Sequence, residues 1–435
     1  MNKNSTIKAL DGRDHAISIN STTELLASSL ENLMGEGSTF MPSRCCIFKT
    51  PSILYRHKEQ AYIPNAFSIG PFHHGKPNLP DTKKIKLKYL QGLMSRSHSP
   101  EARLRQCIDV IWEVEEEARQ CYAGTIGFSS DEFVKILVLD ACFIIELFRK
   151  DAGLVAKDED DPVFTMSCML QYLYHDLILL ENQIPWLVLE RMFRLTASPS
   201  ESKSLVELTR EFFGNIFSSD KHSIEPHLFA NQEIKHILDL LRKSLLLPYR
   251  GEDNQHCFGW QPFPSATSIK EAGIKFRKVA SSSILDIRFS NGILEMPSLL
   301  IQETTETIFR NLISFEQCYP NCTPRVTSYV IILSHLISTP KDMDILCDND
   351  IIDNWLIPED SAKFFKTLYQ DSYVKEFHYL RLCEQVNGYC HHWWSRWHAF
   401  YRRNYFGKPW AIVSQFAVAT LLILTFMQTY FIVFK

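Results

Sequence analysis

Residues 129–150 read SSDEFVKILVLDACFIIELFRK, and the fold class follows from this stretch. Ser129 and Glu132 have the spacing of a capping box, in which hydroxyl and carboxylate each satisfy a free backbone N–H at a helix start. From Phe133 to Phe148 the residues are mostly large and apolar, with Asp140 and Glu146 inserted. A run that long, with neither Gly nor Pro, reads as a helix and leaves too little polar surface to face water. The stretch predicts a central, nearly buried helix, and so a body made mainly of helices.

Upstream, Tyr62, Ile63, Phe67, Ile69 and Phe72 are interrupted by Pro64, Gly70 and Pro71, a pattern of short extended pieces joined by turns. Asp81 is placed to cap a helix in which Ile85, Leu87, Leu90, Leu93 and Met94 supply the apolar stripe. Lys83, Lys84, Lys86 and Lys88 fall mostly outside that stripe and read as a solvated face. Residues 1–40 are polar apart from Leu25 to Leu33 and read as a loose arm with a short helix. Downstream comes the acidic loop Asp158 to Asp161. Met166 to Phe193 is then mostly apolar but contains Asp176, Glu181, Asn182 and Pro185, which should break or kink its helix. Thr196 to Ser204 and Arg250 to Pro264 read as surface insertions. Leu285, Ile287 and Phe289 alternate with Asp286 and Arg288 before Asn291-Gly292, a hairpin signal. Further helices are expected around Ile308 to Phe315, Val330 to Ile337 and Ala362 to Tyr369. No repeat of 20 to 50 residues is present.

Lys and Arg number 46 against 50 Asp and Glu, a formal charge of −4, so no bulk positive field exists to hold nucleic acid. With 45% hydrophobic residues the chain is not a disordered tail. Its 12 Cys are scattered, several in apolar runs, and imply no disulfide framework. The polar N-terminus carries no cleavable secretory signal. Trp410 to Phe434 is free of charge and long enough for a bilayer core of ~30 Å at ~1.5 Å per residue. It predicts a transmembrane helix over 409–434, preceded by an aromatic and basic juxtamembrane segment over 391–408. The helical body then spans 41–390. Arg396, Arg402, Arg403 and Lys408 precede the span and only Lys435 follows it, which places the body on the cytoplasmic side of a plasma or internal membrane. The opposite orientation would expose the sequons at Asn4, Asn20 and Asn321 to glycosylation.

Candidates for chemistry are few. Cys383, Cys390, His391, His392 and His398 cluster near Trp393, Trp394 and Trp397, but in no closed zinc spacing, and an interfacial collar is the simpler reading. His73 and His74 are adjacent in a turn, where side chains often diverge. Cys318 and Cys322 read as loop thiols. Asp140, Asp176 and Glu181 lie in apolar runs, where an unpaired charge is costly, so internal pairing or capping is expected before acid–base work. Nucleotide-loop and nucleophile-elbow motifs are absent. No metal or cofactor is expected.

Several ordered blocks together resemble a family. They are Ala66 to Gly75, Leu139 to Ile144, Asp176 to Pro185, Ser265 to Thr267 with Glu271 to Ile274, and Leu285 to Pro297. Phe309 to Leu312 with Phe315 to Cys318, and Ile351 to Trp355, complete the set. The sequence resembles plant proteins of the domain-of-unknown-function 247 (DUF247) family, also called UPF0481, over about residues 44 to 432. That resemblance implies a plant membrane protein and no established catalytic set. Some grass members of the family are associated with self-incompatibility loci, which is compatible with a role in protein recognition.

The expectation is a single-pass membrane protein whose helical body binds another protein in signalling or recognition. The alternative is an enzyme using Asp176 and Glu181, or His73 and His74, as acid–base or metal groups. A weaker alternative is a scaffold holding anionic lipid through Lys83 to Lys88 and Arg402-Arg403.

Overall fold

The computed structural model describes residues 23–31, 34, 42–77, 79, 82–198, 201–214, 216–217, 226–247, 262–281, 283–320, 322–374, 376–391 and 409–433. The chain divides into two units, Met1–Cys45 and Cys46–Lys435. In the first, residues 23–31 are helical, with Leu25, Leu26 and Leu30 exposed. The second carries the core. The protein is 57% helix and 6% strand, far below the roughly 20–25% strand of an average globular chain, so it is mainly α.

Among the described residues of the second unit, helices of eight residues or more are α1 (Lys83–Ser95), α2 (Pro100–Trp112), α3 (Ser130–Asp151), α4 (Ser167–Asp176), α5 (Trp186–Thr196) and α6 (Leu205–Phe212). They continue as α7 (Ile237–Leu246), α8 (Thr305–Cys318), α9 (Arg325–Leu336), α10 (Pro340–Cys347), α11 (Pro358–Leu368), α12 (Leu380–His391) and α13 (Pro409–Val433).

The expected central helix is α3. Its capping box forms, with the Glu132 N–H donating to the Ser129 hydroxyl and the Ser129 N–H to the Glu132 carboxylate, both at 3.3 Å. Acidic residues fill its first turn and Arg149 and Lys150 its last, matching the helix dipole at both ends. Phe143 stacks on Phe67 at 5.2 Å and meets Tyr89 of α1 at 5.1 Å. The inward face of α1 differs from the expected stripe: Lys86, Tyr89, Leu93 and Met94 are buried, while Leu87 is 46% exposed. Lys86 points inward because Asp140 of α3 receives it. Lys88 pairs with Asp160 at the surface. Asp81 lies outside the described residues, and Thr82 stands at the N-cap of α1.

Pro185 does interrupt the apolar run as expected, but the helix has already ended at Asp176 and Pro185 caps the start of α5. Residues 177–185 between them are irregular. Among the described residues, 55–72 hold no strand but a 3-10 turn at Glu59–Ala61 and a series of bends. The hairpin is present: β2 (Arg288–Ser290) runs antiparallel to β3 (Ile293–Met296) across Asn291 and Gly292, whose φ angles of 51° and 74° belong to the turn type that Asn-Gly favours. Two parallel pairings were not legible. One joins β1 (Lys275–Lys278) to β3, and the other joins β4 (Leu299–Ile301) to β5 (Ile352–Asn354).

The expected transmembrane helix is corrected. The terminal segment is helical as α13, but among the described residues no helix is long and apolar enough to cross a membrane. Ser414 interrupts the apolar surface of α13. Thr420, Thr425, Gln428 and Thr429 further dilute it, the three threonines turning their hydroxyls back to carbonyls of the preceding turn.

Candidate functional site

Residues 65–70 cross the face of α3 without belonging to helix or strand, so each buried N–H there needs a partner from elsewhere. Side chains supply them. The Asp176 carboxylate accepts from the N–H groups of Asn65 at 2.7 Å, Ala66 at 2.9 Å and Phe67 at 2.7 Å. Asn182 accepts from the Ile69 N–H at 2.6 Å and donates to the Phe67 and Asp176 carbonyls. Asp140 accepts from the Gly70 N–H at 2.8 Å, and Lys86 joins Asp140 to the Ser68 carbonyl. Asp140, Asp176 and Asn182 are each at most 1% exposed.

The same logic holds the 177–185 loop. Gln183 donates to the carbonyls of Leu177 and Leu179, and the Tyr122 hydroxyl donates to the Gln183 carbonyl at 3.0 Å. Asn311 of α8 accepts from the Leu180 N–H and donates to the Ala61 and Thr307 carbonyls. Gly70 has a φ of +71°, and a Cβ there would stand 2.4 Å from the Gln183 carbonyl oxygen, so only glycine fits. Three stretches far apart in sequence are thus tied into one knot. Asp176, Asp140 and Lys86 all carry charge into an apolar interior, and each is matched there by opposite charge or by polar backbone groups.

At the edge of the knot lie Glu181 and His73. Glu181 accepts from the Thr50 N–H at 2.8 Å, and its other oxygen is 3.5 Å from His73 Nε2. Lys76 Nζ lies 3.0 Å from His73 Nδ1. An ammonium only donates, so Nδ1 accepts and the ring proton sits on Nε2, facing Glu181. The 3.5 Å contact is long for a hydrogen bond and Nε2 makes no other, although His73 is 1% exposed. Burial by itself raises the Glu181 carboxyl, but His73, the Thr50 amide and the Lys76 charge together hold it below its ordinary value. Burial, then the hydrogen bond to Glu59, pushes the Tyr55 phenol up to about 12.

The other expected candidates do not converge. His74 diverges from His73 and packs its ring edge-on against Phe128 at 5.7 Å, where burial lowers its pKa. Cys318 and Cys322 are in no disulfide, and burial pushes Cys322 up to about 12. Among the described residues no group of three His, Cys, Asp or Glu could hold a metal. His392, His398, Trp393, Trp394, Trp397, Arg402, Arg403 and the sequon residues Asn4, Asn20 and Asn321 lie outside the described residues.

Two further buried groups have roles that the sequence does not suggest. His236 caps α7: its Nδ1 accepts from the Asp239 N–H, so Nε2 carries the proton and faces the Cys46 carbonyl at 3.0 Å. Complete burial drives its pKa down to about 4. Glu316, near the end of α8, accepts from the Val326 and Thr327 N–H groups at the start of α9 and pairs with Arg242. A His or Glu reaching into a distant helix leaves no local pattern.

Comparison with known proteins now places the chain. UPF0481 protein At3g47200 from Arabidopsis thaliana is 27% identical over 411 residues, covering 88% of this chain and 85% of that protein. Putative UPF0481 protein At3g02645 from the same plant is 21% identical over 494 residues, covering 89% and 90%. No solved structure gives a significant match. The family model described as a plant protein of unknown function, DUF247, matches residues 47–424 and so takes in the whole knot. The chain belongs to the DUF247 family of plant proteins.

Proposed function

We propose that the helical body is a protein-binding module rather than a catalyst. The observation that carries this reading is the use made of Asp176: both its oxygens are occupied by backbone N–H donors, and the residue is wholly buried. A general base needs a lone pair within reach of substrate, and this carboxylate gives its lone pairs to three backbone amides and to the neighbouring His175 ring at 2.9 Å. Asp140 and Asn182 likewise accept from backbone N–H groups. Side chains that fix a backbone this firmly build a rigid scaffold, and a rigid scaffold lowers the ordering cost of binding a partner. A biotin-ligase fusion expressed in plant cells tests the reading. It should label a small reproducible set of proteins that the ligase alone does not, and indistinguishable sets would overturn it.

A second reading, acid–base chemistry at His73 and Glu181, is favoured by the 3.5 Å approach of His73 Nε2 to the Glu181 carboxylate. Against it stands the burial of His73, which substrate reaches only if 72–76 moves. Glu181→Gln separates the two. A structural Glu181 loses about 1 kcal/mol of stability with that change; an unchanged unfolding midpoint would favour the catalytic reading.

A further inference from the structure

Trp355 is 69% exposed and Ile357 is 63% exposed, on either side of Leu356. Large apolar side chains this exposed are unremarkable when they are scattered and loosely held. Here the chain is held. The Trp355 N–H donates to the Ile301 carbonyl, extending the β4–β5 ladder, and its indole N–H donates to Asp353 at 3.0 Å. Asn354 accepts from the Leu356 N–H at 3.2 Å, donates to the Leu356 carbonyl at 3.0 Å and accepts from the Ser361 hydroxyl of α11 at 2.9 Å. The loop that presents Trp355 and Ile357 is therefore fixed at both ends.

Its surroundings are acidic. Asp344 on α10, Asp348 just beyond its end and Asp353 on β5 all lie near Cys347, whose thiol is pushed up by burial and then by these three charges. Glu359 and Asp360 occupy the first turn of α11, directly after Ile357. Asp344, Asp348, Glu359 and Asp360 are exposed. The exposed cations of the same stretch, Lys341, Lys363 and Lys366, are outnumbered.

We propose that Trp355 and Ile357 are the anchor of a docking surface for a basic amphipathic segment of another protein, one with an apolar side chain flanked by Lys or Arg. The proposal rests on the binding-module reading and names its partner's chemistry. A rigid exposed Trp is the residue type that most often dominates an interface. The surrounding carboxylates supply attraction for Lys and Arg and reject acidic partners. A second copy of this chain would bring the same acidic patch against itself, so charge disfavours that occupant.

The test is titration of the full chain with a fluorescein-labelled synthetic amphipathic peptide of lysine and leucine, and with its glutamate and leucine counterpart. The basic peptide should bind and the acidic one should not. Trp355→Ala should weaken binding about tenfold or more. Asp344→Asn with Asp348→Asn should weaken it about two- to fivefold, with the difference shrinking as salt is raised. Ile357→Ser provides a second surface variant should Trp355→Ala disturb the loop, and circular dichroism checks both. Equal binding of the two peptides, or binding indifferent to both Trp355→Ala and Ile357→Ser, overturns the proposal. So does concentration-dependent self-association in sedimentation that either variant abolishes. If the basic peptide fails while the biotin-ligase fusion still labels a reproducible set, the docking surface falls and the binding-module reading stands.

Discussion

Asp176 and Asp353 are the same residue type, and they do opposite work. Asp176 is wholly buried and gathers three backbone N–H groups from a segment more than a hundred residues earlier in the chain. Asp353 sits at the β5–α11 corner, half-buried, holding the indole of an exposed tryptophan and standing among carboxylates that face water. The difference lies in what surrounds each carboxylate. Where irregular backbone is buried, its amides have no ladder to join and acceptors must come from side chains. Where water reaches, the same charge is left to act on solvent and on visiting molecules.

The largest effect that would break this contrast belongs to Asp176→Ala. Three N–H groups would be left buried without an acceptor, and urea denaturation should show a loss of about 3–5 kcal/mol or a failure to fold. A loss under 1 kcal/mol would mean that water replaces the carboxylate and that the knot is not structural.

Acid sharpens the contrast through His236, another buried group that serves backbone. Its folded pKa of about 4 lies below the ordinary 6.5, so the unfolded chain binds the extra proton. Its stabilising contribution is complete above pH 6.5 and is lost progressively as pH falls to about 4, on the order of 3 kcal/mol in all. His236→Gln should flatten the fall in unfolding midpoint between those values. Glu181, held below its ordinary value, gives a separate loss at lower pH, as pH falls from about 4.5 through its depressed pKa.

Gly70→Ala should cost about 1–3 kcal/mol, since it combines a positive φ with a methyl 2.4 Å from the Gln183 carbonyl oxygen. Gly75→Ala is the matched control: its φ is +72°, but no atom stands within 4 Å of the added methyl. The difference between the two midpoints isolates the close approach inside the knot from backbone strain alone. Smallest of all, Asp344→Asn and Asp348→Asn at the corner should each change stability by no more than about 0.5 kcal/mol. A larger loss there would erase the distinction between the two regions.

How much of this was legible depended on how local each signal was. The capping box at Ser129 and the Asn291-Gly292 turn are complete within a few residues, and both formed as read. The parallel pairings of β1 with β3 and β4 with β5 depend on partners far along the chain and were invisible. The uncharged run at 410–434 suggested a span, yet no helix among the described residues meets the length and apolarity a membrane requires. Within the knot, Asp140, Asp176 and Glu181 stood out as charges in apolar runs, and pairing or capping was the expected outcome. Their partners were not readable, because a backbone N–H has no sequence signature. Lys86 was misplaced for a related reason: helical periodicity assigns a lysine to solvent until Asp140 is known to face it. Gln183, Asn311 and Glu316 fall within blocks that carry the family resemblance, but nothing in the sequence points to their backbone partners.

Hydrogen exchange of the backbone itself tests the structural role of the knot most directly. In native-state exchange followed by mass spectrometry, a peptide covering residues 64–72 reports on the amides of Asn65, Ala66, Phe67, Ile69 and Gly70. Although this segment is neither helix nor strand, the expected result is protection comparable to that of α3, with exchange only through global unfolding. Exchange within seconds, at the rate of an ordinary surface loop, would contradict it and return Asp140, Asp176 and Asn182 to the pool of side chains free for chemistry.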